Sequence, residues 1–249
     1  MSGIYQDPRR YDLIYQRFGE DVTFYRDVAA EAEGAICDLA CGTGRVTIPL
    51  AEAFPERRIF GVDSEARQLQ RAERLARERG VHGVSWIEAS MEAVATPERC
   101  GLALCALHSL EHLTDEDLLD DFFHNLKSRV LAPGGLFAFA LHLPDPAYLQ
   151  RDPEELQLLG RYGDGDEAFS LYEKSSHDAS RQLLSLDWFF EPAGEGEMEW
   201  ASYTLRLFYP REIRRIAREH RFELLGHWGW YDRTPLKPGS GSQVLLLRA

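Results

Sequence analysis

The 249-residue chain predicts an α/β fold: a doubly wound, mostly parallel sheet of seven strands with a small antiparallel β insertion. Three observations carry this. Between residues 34 and 141, short apolar runs alternate with amphipathic stretches. Between residues 171 and 208 the pattern switches to strict apolar/polar alternation. A last helix and two more strands follow. Strand–helix alternation at short spacing requires right-handed crossovers, hence parallel strands with helices on both faces. Alternation with period two marks strands with one buried face.

The elements follow in order. Ala35–Leu39 is an apolar run that stops at a glycine turn, and Gly44–Ala53 reads as the helix after it. Arg58–Val62 is the second strand. Ser64 is placed to cap the next helix, where Leu69, Ala72, Leu75 and Ala76 share a face and Gly80 ends the run. Val84–Glu88 and Leu102–Leu107 are the third and fourth strands. Thr114 opens a helix in which Leu118, Phe122, Leu126 and Val130 recur every fourth residue. Pro133, Gly134 and Gly135 stop it before the fifth strand, Leu136–Leu141. The stretches Leu171–His177, Gln182–Glu191 and Met198–Phe208 form an antiparallel meander. Pro210 begins the last helix, and Phe222–Trp230 and Gln243–Leu247 complete the sheet. The chain therefore reads as one domain over 1–249, with N-terminal helices over 1–33 and the β insertion over 146–208.

Composition narrows the function. The 28 basic and 41 acidic residues give a net charge of −13. A nucleic-acid binder needs a basic surface to displace counterions, so no nucleic-acid partner is expected. No apolar stretch is long enough to span a bilayer, and Met1–Asp12 lacks the apolar core of a secretory signal. The expected setting is cytoplasmic, with no membrane partner; a homodimer is compatible with the sequence. Cys37, Cys41, Cys100 and Cys105 form no Cys-x-x-Cys pair. They read as buried thiols, and no metal site is expected.

The strongest motif is Asp38-Leu39-Ala40-Cys41-Gly42-Thr43-Gly44 at the end of the first strand. Glycines let the backbone turn sharply and approach a ligand, and the next helix offers free N–H groups. Gly61-Val62-Asp63 ends the second strand with a carboxylate suited to a ribose. A dinucleotide fingerprint would need glycine where Thr47 stands, which disfavours an NAD(P)-dependent oxidoreductase. The chain closely resembles the class I S-adenosylmethionine-dependent methyltransferases, whose first motif reads Asp-x-x-x-Gly-x-Gly. Ala40 stands where many members carry Gly. The resemblance covers roughly residues 34–145 well and implies a Rossmann-like sheet whose last strand is antiparallel. It implies S-adenosyl-L-methionine as cofactor, with Asp38 at the methionine amino end, Ala40, Gly42 and Gly44 lining it, Asp63 on the ribose and Ser64 at the adenine edge. Ser90 and Met91 stand where the family often has an Asp before an apolar residue; Ser90 would then bond the adenine and Met91 cover it. Leu107, at the fourth strand's end, is counted with the cofactor site.

The acceptor is expected beyond the fourth and fifth strands, where ligands of open α/β sheets bind. His108, His112 and His142 fall there with Glu111. His108 and His142 are the candidate bases; His112 reads more readily as structural, and Glu111 as a solvated or helix-end charge. Tyr11-Asp12-Leu13-Ile14-Tyr15 resembles the N-terminal segment of aminosugar and glycine/sarcosine-type N-methyltransferases. There it folds over the cofactor with the second tyrosine facing the methionine end. Tyr15 is thus a candidate lid and catalytic residue, although such tyrosines could simply pack a helix on the sheet. Tyr172, Trp188, Trp200, Tyr203, Trp228 and Trp230 divide between core and pocket wall. Arg206 could bind an acceptor carboxylate, or more simply form a cross-strand ion pair. The expected activity is methyl transfer to a small molecule, an amine nitrogen before a hydroxyl, with a protein acceptor as a further alternative.

Overall fold

The computed structural model describes residues 3–15 and 18–249. In chain order the elements are α1 (Pro8–Tyr15), α2 (Glu20–Glu31), β1 (Ala35–Leu39), α3 (Thr47–Ala53), β2 (Ile59–Asp63), α4 (Ala66–Glu78), β3 (Val84–Glu88) and β4 (Cys100–Cys105). They continue with α5 (Glu116–Asn125), β5 (Leu131–Leu141), α6 (Pro146–Leu149), β6 (Gln157–Tyr162), β7 (Phe169–Asp178), β8 (Leu183–Pro192), β9 (Glu199–Arg206), α7 (Pro210–Glu219), β10 (Glu223–Trp228) and β11 (Gln243–Arg248). One sheet has seven strands in the order β10-β11-β5-β4-β1-β2-β3. Only β11 runs against its neighbours, β5 and β10. The second sheet is antiparallel, β6-β7-β8-β9.

Most of the expected elements are present, with shifted ends. Ser64 does not cap α4: Glu65 occupies that position with no side-chain bond, and the Asp63 carboxylate takes the Glu65 N–H instead. Gly80, at φ 72°, ends α4 as expected, with Val81 N–H reaching the Ala76 carbonyl. Asp115, not Thr114, caps α5 by accepting from Asp117 N–H. A π turn, Leu126–Val130, extends α5. Leu118 faces solvent, while Leu119, Phe122, Phe123, Leu126 and Val130 carry the packing against the sheet. Helix α3 begins at Thr47 rather than Gly44, because Cys41–Val46 is spent on the turn. The strand β6 was not foreseen: it is an exposed edge that buries little apolar surface.

Two apolar layers sandwich the seven-stranded sheet. One joins α5 and α7 to Cys37, Phe60, Phe137 and Phe139; the other joins α2 and α3 to Ile36, Leu102 and Ala138. The second sheet buries Phe169, Leu171, Trp188 and Phe190 against α1. Helix α1 is thus held between the small sheet and the carboxyl ends of the large one. The expected segment 1–33 includes Met1, Ser2, Gln16 and Arg17, which lie outside the described residues.

A buried ion pair ties α2 to the turn after β1. Arg45 grips both oxygens of the fully buried Asp21, at 2.8 and 2.5 Å, and donates to the Phe18 carbonyl. Removing one partner strands a buried charge, which costs about 3 kcal/mol or more. Arg45→Met should therefore lower the unfolding free energy by about that amount in urea. Adding Asp21→Asn should recover over half of the loss, and a change in the single variant near zero would mean the pair holds nothing.

Candidate active site

The carboxyl ends of β1, β2 and β4 meet at the turn after β1. Ala40, Gly42 and Gly44 adopt left-handed backbone, at φ 55°, 56° and 80°. Ala40 holds this conformation despite its Cβ. A Cβ on Gly44 would press on Trp86 and Ile48 at 3.0–3.1 Å. Asp63 reaches across the turn and accepts from Gly42 N–H at 2.8 Å; burial raises its pKa against the pull of its backbone donors. Asp38 is buried, with one carboxylate oxygen on the Thr47 hydroxyl at 2.6 Å and the other without a partner. Burial pushes Asp38 up to about 7, only partly countered by Thr47 and Arg45. Ser64 is exposed beside Asp63. Ser90 is half-buried after β3, and Met91 packs against the core beside it.

Helix α1 sits on this turn. The Tyr11 ring lies 3.7 Å from where a Gly42 Cβ would be. Asp12 accepts from the Thr43 hydroxyl at 2.6 Å and from Arg71 at 2.8 Å. Gln68 donates to the Tyr5 carbonyl, and the Tyr5 hydroxyl meets His112 Nε2 at 2.7 Å. Between Tyr11, Asp38 and Leu107 about 10 Å³ of free space remains.

A much larger cavity, about 660 Å³, opens on the other side of α1, between the ends of β4 and β5 and the inner face of the small sheet. Its size is typical of a small-ligand site. Tyr15, His108, His112 and His142 line it, facing Trp188 and Tyr203. Glu111 is fully buried and grips His142 twice, accepting from its backbone N–H and pairing with ring Nδ1, both at 2.6 Å. The carboxylate thus fixes the ring and leaves Nε2 toward the cavity. Burial pulls the His142 pKa down, but the charge and hydrogen bond of Glu111 more than offset it, and the net shift is upward. The His108 ring lies 3.7 Å from that of His142, and its Nε2 meets the Ser242 hydroxyl at 2.8 Å. Burial, with the His142 charge, drives the His108 pKa down. Leu107 and His108 reach this place through two consecutive left-handed residues, at φ 47° and 61°.

These contacts correct several expectations. Glu111 is neither solvated nor a helix-end charge; it is the buried partner of His142. Tyr172 and Trp200 do not face the cavity: they stand with Leu158 and Phe189 in one cross-strand row on the outer face, and Trp200 is 67% exposed. Trp228 packs on Phe24, whereas Trp230 joins the cavity wall. Arg206 bonds Glu116 and Glu212 away from the cavity. Glu173 lines the cavity and was not foreseen. No Lys or Arg lines the cavity among the described residues, and these contain no cluster of three metal-ligating side chains. No helix among them is long and apolar enough to cross a membrane.

Residues 36–135 match the methyltransferase domain family. The chain carries this match from β1 into the start of β5. It is 34% identical over 144 residues to a demethylmenaquinone methyltransferase of Thermus thermophilus, a match covering 55% of this chain and 62% of that one. The chain spans 62%, 54% and 49% of the length of the first three curated relatives it matches. Among solved structures it is similar to the CcbJ methyltransferase of Streptomyces caelestis, with a TM-score of 0.78, 24% identity and coverage of 93% of this chain and 89% of that one. It is also similar to CalS10, an amino pentose methyltransferase of Micromonospora echinaspora, with a TM-score of 0.73, 15% identity and coverage of 96% and 95%. These two likenesses establish the fold. The residues of the matched stretch suit S-adenosylmethionine: an orphaned buried carboxylate oxygen on Asp38, a glycine turn, and Asp63 at the next strand end.

The histidine pair gives a sign for titration. His142 binds its proton more tightly in the folded state than its usual value of 6.5. Its contribution to stability is therefore full below that pH and is lost as pH rises through the higher folded value. Histidine NMR should show His142 titrating above 6.5 and His108 below it. Glu111→Gln should lower the His142 pKa, because burial is then opposed only by the field of Glu173. A His142 value that does not respond to Glu111→Gln would refute the coupling.

Proposed function

We propose that the protein transfers a methyl group from S-adenosylmethionine to a small-molecule acceptor, an amine nitrogen, held in the cavity between α1, the β4 and β5 ends and the small sheet. The observation that carries this is the aromatic-walled cavity with an anchored histidine in its lining. A nucleic-acid acceptor would call for phosphate contacts, and no Lys or Arg among the described lining residues offers one. When bound, the cofactor supplies an electrophilic methyl on a good leaving group. The protein's part is to align, to exclude water and to free the acceptor's lone pair. Asp38, Ala40, Gly42, Gly44 and Asp63 are the proposed cofactor cradle, with Ser64, Ser90, Met91 and Leu107 around the adenine and the strand end. Tyr15, on the cavity side of α1, is the proposed wall between cofactor and acceptor. Segment 1–33 is the proposed lid: little room is left beneath Tyr11, so α1 shifts to admit the cofactor and closes again over it.

His142 is the proposed base. Its Nε2 can accept the acceptor's proton while Glu111 stabilises the imidazolium that forms. His108, kept neutral, packs against that ring and orients it. The same pair supports a second reading, a hydroxyl acceptor, because an alcohol or phenol demands a stronger base than an amine does.

Two tests follow from this site. Asp38 has a raised pKa, so an ammonium group placed on its free oxygen should expel a proton near pH 6. Calorimetry with S-adenosylhomocysteine in buffers of different ionisation enthalpy should detect that release, and Asp38→Asn should abolish it. Hydrogen exchange over residues 3–15 should slow on the same addition; no binding at all would sink the methyltransferase activity. His142→Ala separates the acceptors: a loss of about tenfold in kcat fits positioning of an amine, whereas about 10²–10⁴-fold fits loss of a required base for oxygen. His108→Ala should cost less than His142→Ala in either case.

A further inference from the structure

We infer that Glu173 is a counter-ion for a positively charged acceptor, which narrows the acceptor to strongly basic aliphatic amines that enter as ammonium ions. This rests on the small-amine reading above and deepens it. Along β7 the inward positions run Phe169, Leu171, Glu173. The third breaks the apolar phase with a carboxylate that is only 7% exposed. Burying such a charge costs several kcal/mol unless something compensates it (about that much per ion even after relaxation). The observed partners are both neutral: the Tyr148 hydroxyl donates to one oxygen at 2.6 Å and the Trp188 indole N–H to the other at 2.9 Å. No basic side chain among the described residues forms an ion pair with it. The two arginines of this region pair with other acids, Arg206 with Glu116 and Glu212 and Arg10 with Glu199. A carboxylate has about four acceptor sites, and two hydrogen bonds leave room for more.

The surroundings favour a cation. Tyr15, Tyr162, Trp188 and Tyr203 present aromatic surface to the same cavity, and ring faces attract a desolvated ammonium. The buried carboxylate behind His142, Glu111, already spends its charge on that ring. The field of Glu173 reaches that histidine too, where it adds to the upward shift. Tyr148 and Trp188 take one carboxylate oxygen each; these neutral donors leave the negative charge without a cation, which an ammonium ligand would supply. Aromatic amines and phenols, uncharged at neutral pH, would gain nothing from it.

The test uses the whole protein with S-adenosylhomocysteine present and needs no knowledge of the natural acceptor. Phenylpiperidine, cationic near neutral pH, is compared with phenyltetrahydropyran, its uncharged analogue of nearly the same shape, by calorimetry and by quenching of tryptophan fluorescence. The amine is expected to bind about tenfold tighter. Glu173→Gln should reduce that preference to within about twofold by weakening the amine alone, leaving affinity for the ether and for S-adenosylhomocysteine in place. If that variant does not fold, Glu173→Asp, which withdraws the charge by one methylene, should cut the preference by several fold. Equal binding of the two probes, no binding of either, or a preference undiminished by the substitution overturns the inference. Failure of S-adenosylhomocysteine to bind would instead strike the methyltransferase reading, and the two failures are read separately.

Discussion

The reversal of strand order at β1 is the constraint on which the remainder of the molecule depends. Parallel neighbours need right-handed crossovers. From β1 the chain winds outward through β2 and β3 in one direction, and then returns to place β4 and β5 on the other side. Connections on the two sides leave toward opposite faces, so the loops after β1 and β4 part and leave a crevice between them. The Asp38–Gly44 turn forms one lip. Leu107 and His108 form the other, with His142 one strand further along. No separate device is needed to bring these residues together; adjacent strands ending on the same edge suffice.

That edge alone is an open shelf. The antiparallel sheet and α1 wall it into a cavity, and they do so with a modest apolar interface: Phe169, Leu171, Trp188 and Phe190 against Tyr5, Leu13, Ile14 and Tyr15. Within it the charges are arranged sparingly. Asp38 and Asp63 belong to the crevice, while Glu111 and Glu173 belong to the cavity. The imidazole that carries an upward shift, His142, stands in the field of Glu111 and Glu173. A protein with a large acidic excess outside thus also keeps its enclosed space electronegative, with its arginines turned toward structural pairs such as Arg45–Asp21.

Much of this was legible in the sequence, because period and punctuation report local geometry. The apolar runs gave the strands, Gly80 the end of α4 and Pro210 the start of α7, whereas Pro133 falls inside β5, which already begins at Leu131. The Asp38–Gly44 spacing with Asp63 marked the crevice. What was not legible is contact at a distance. Glu111 lies 31 positions from His142, and only the short turn after β4 rotates it inward; beside exposed acids in the sequence it looks like another surface charge. Residue type divides Tyr172 and Trp200 between core and cavity wall, but strand phase puts both outside. Phase also held an unused signal. Glu173 occupies the inward register of β7, where Phe169 and Leu171 had already declared which face is buried. Asp115 replaced Thr114 as the cap of α5 because helix boundaries depend on which side chain reaches the free N–H groups, a matter of a single residue.

The backbone at Leu107 and His108 carries one more implication. Two successive side-chain-bearing residues in the left-handed region cost about 1 kcal/mol or more each, a sum that is a noticeable fraction of a domain's net stability. Glycine or asparagine at position 107 would relieve part of it. Under selection for heat resistance alone, such replacements should therefore be enriched, and with them a looser aim of the imidazole that follows. Populations of this protein evolved for thermal tolerance and those evolved for turnover would diverge first at this corner, well before the helices or the central strands changed.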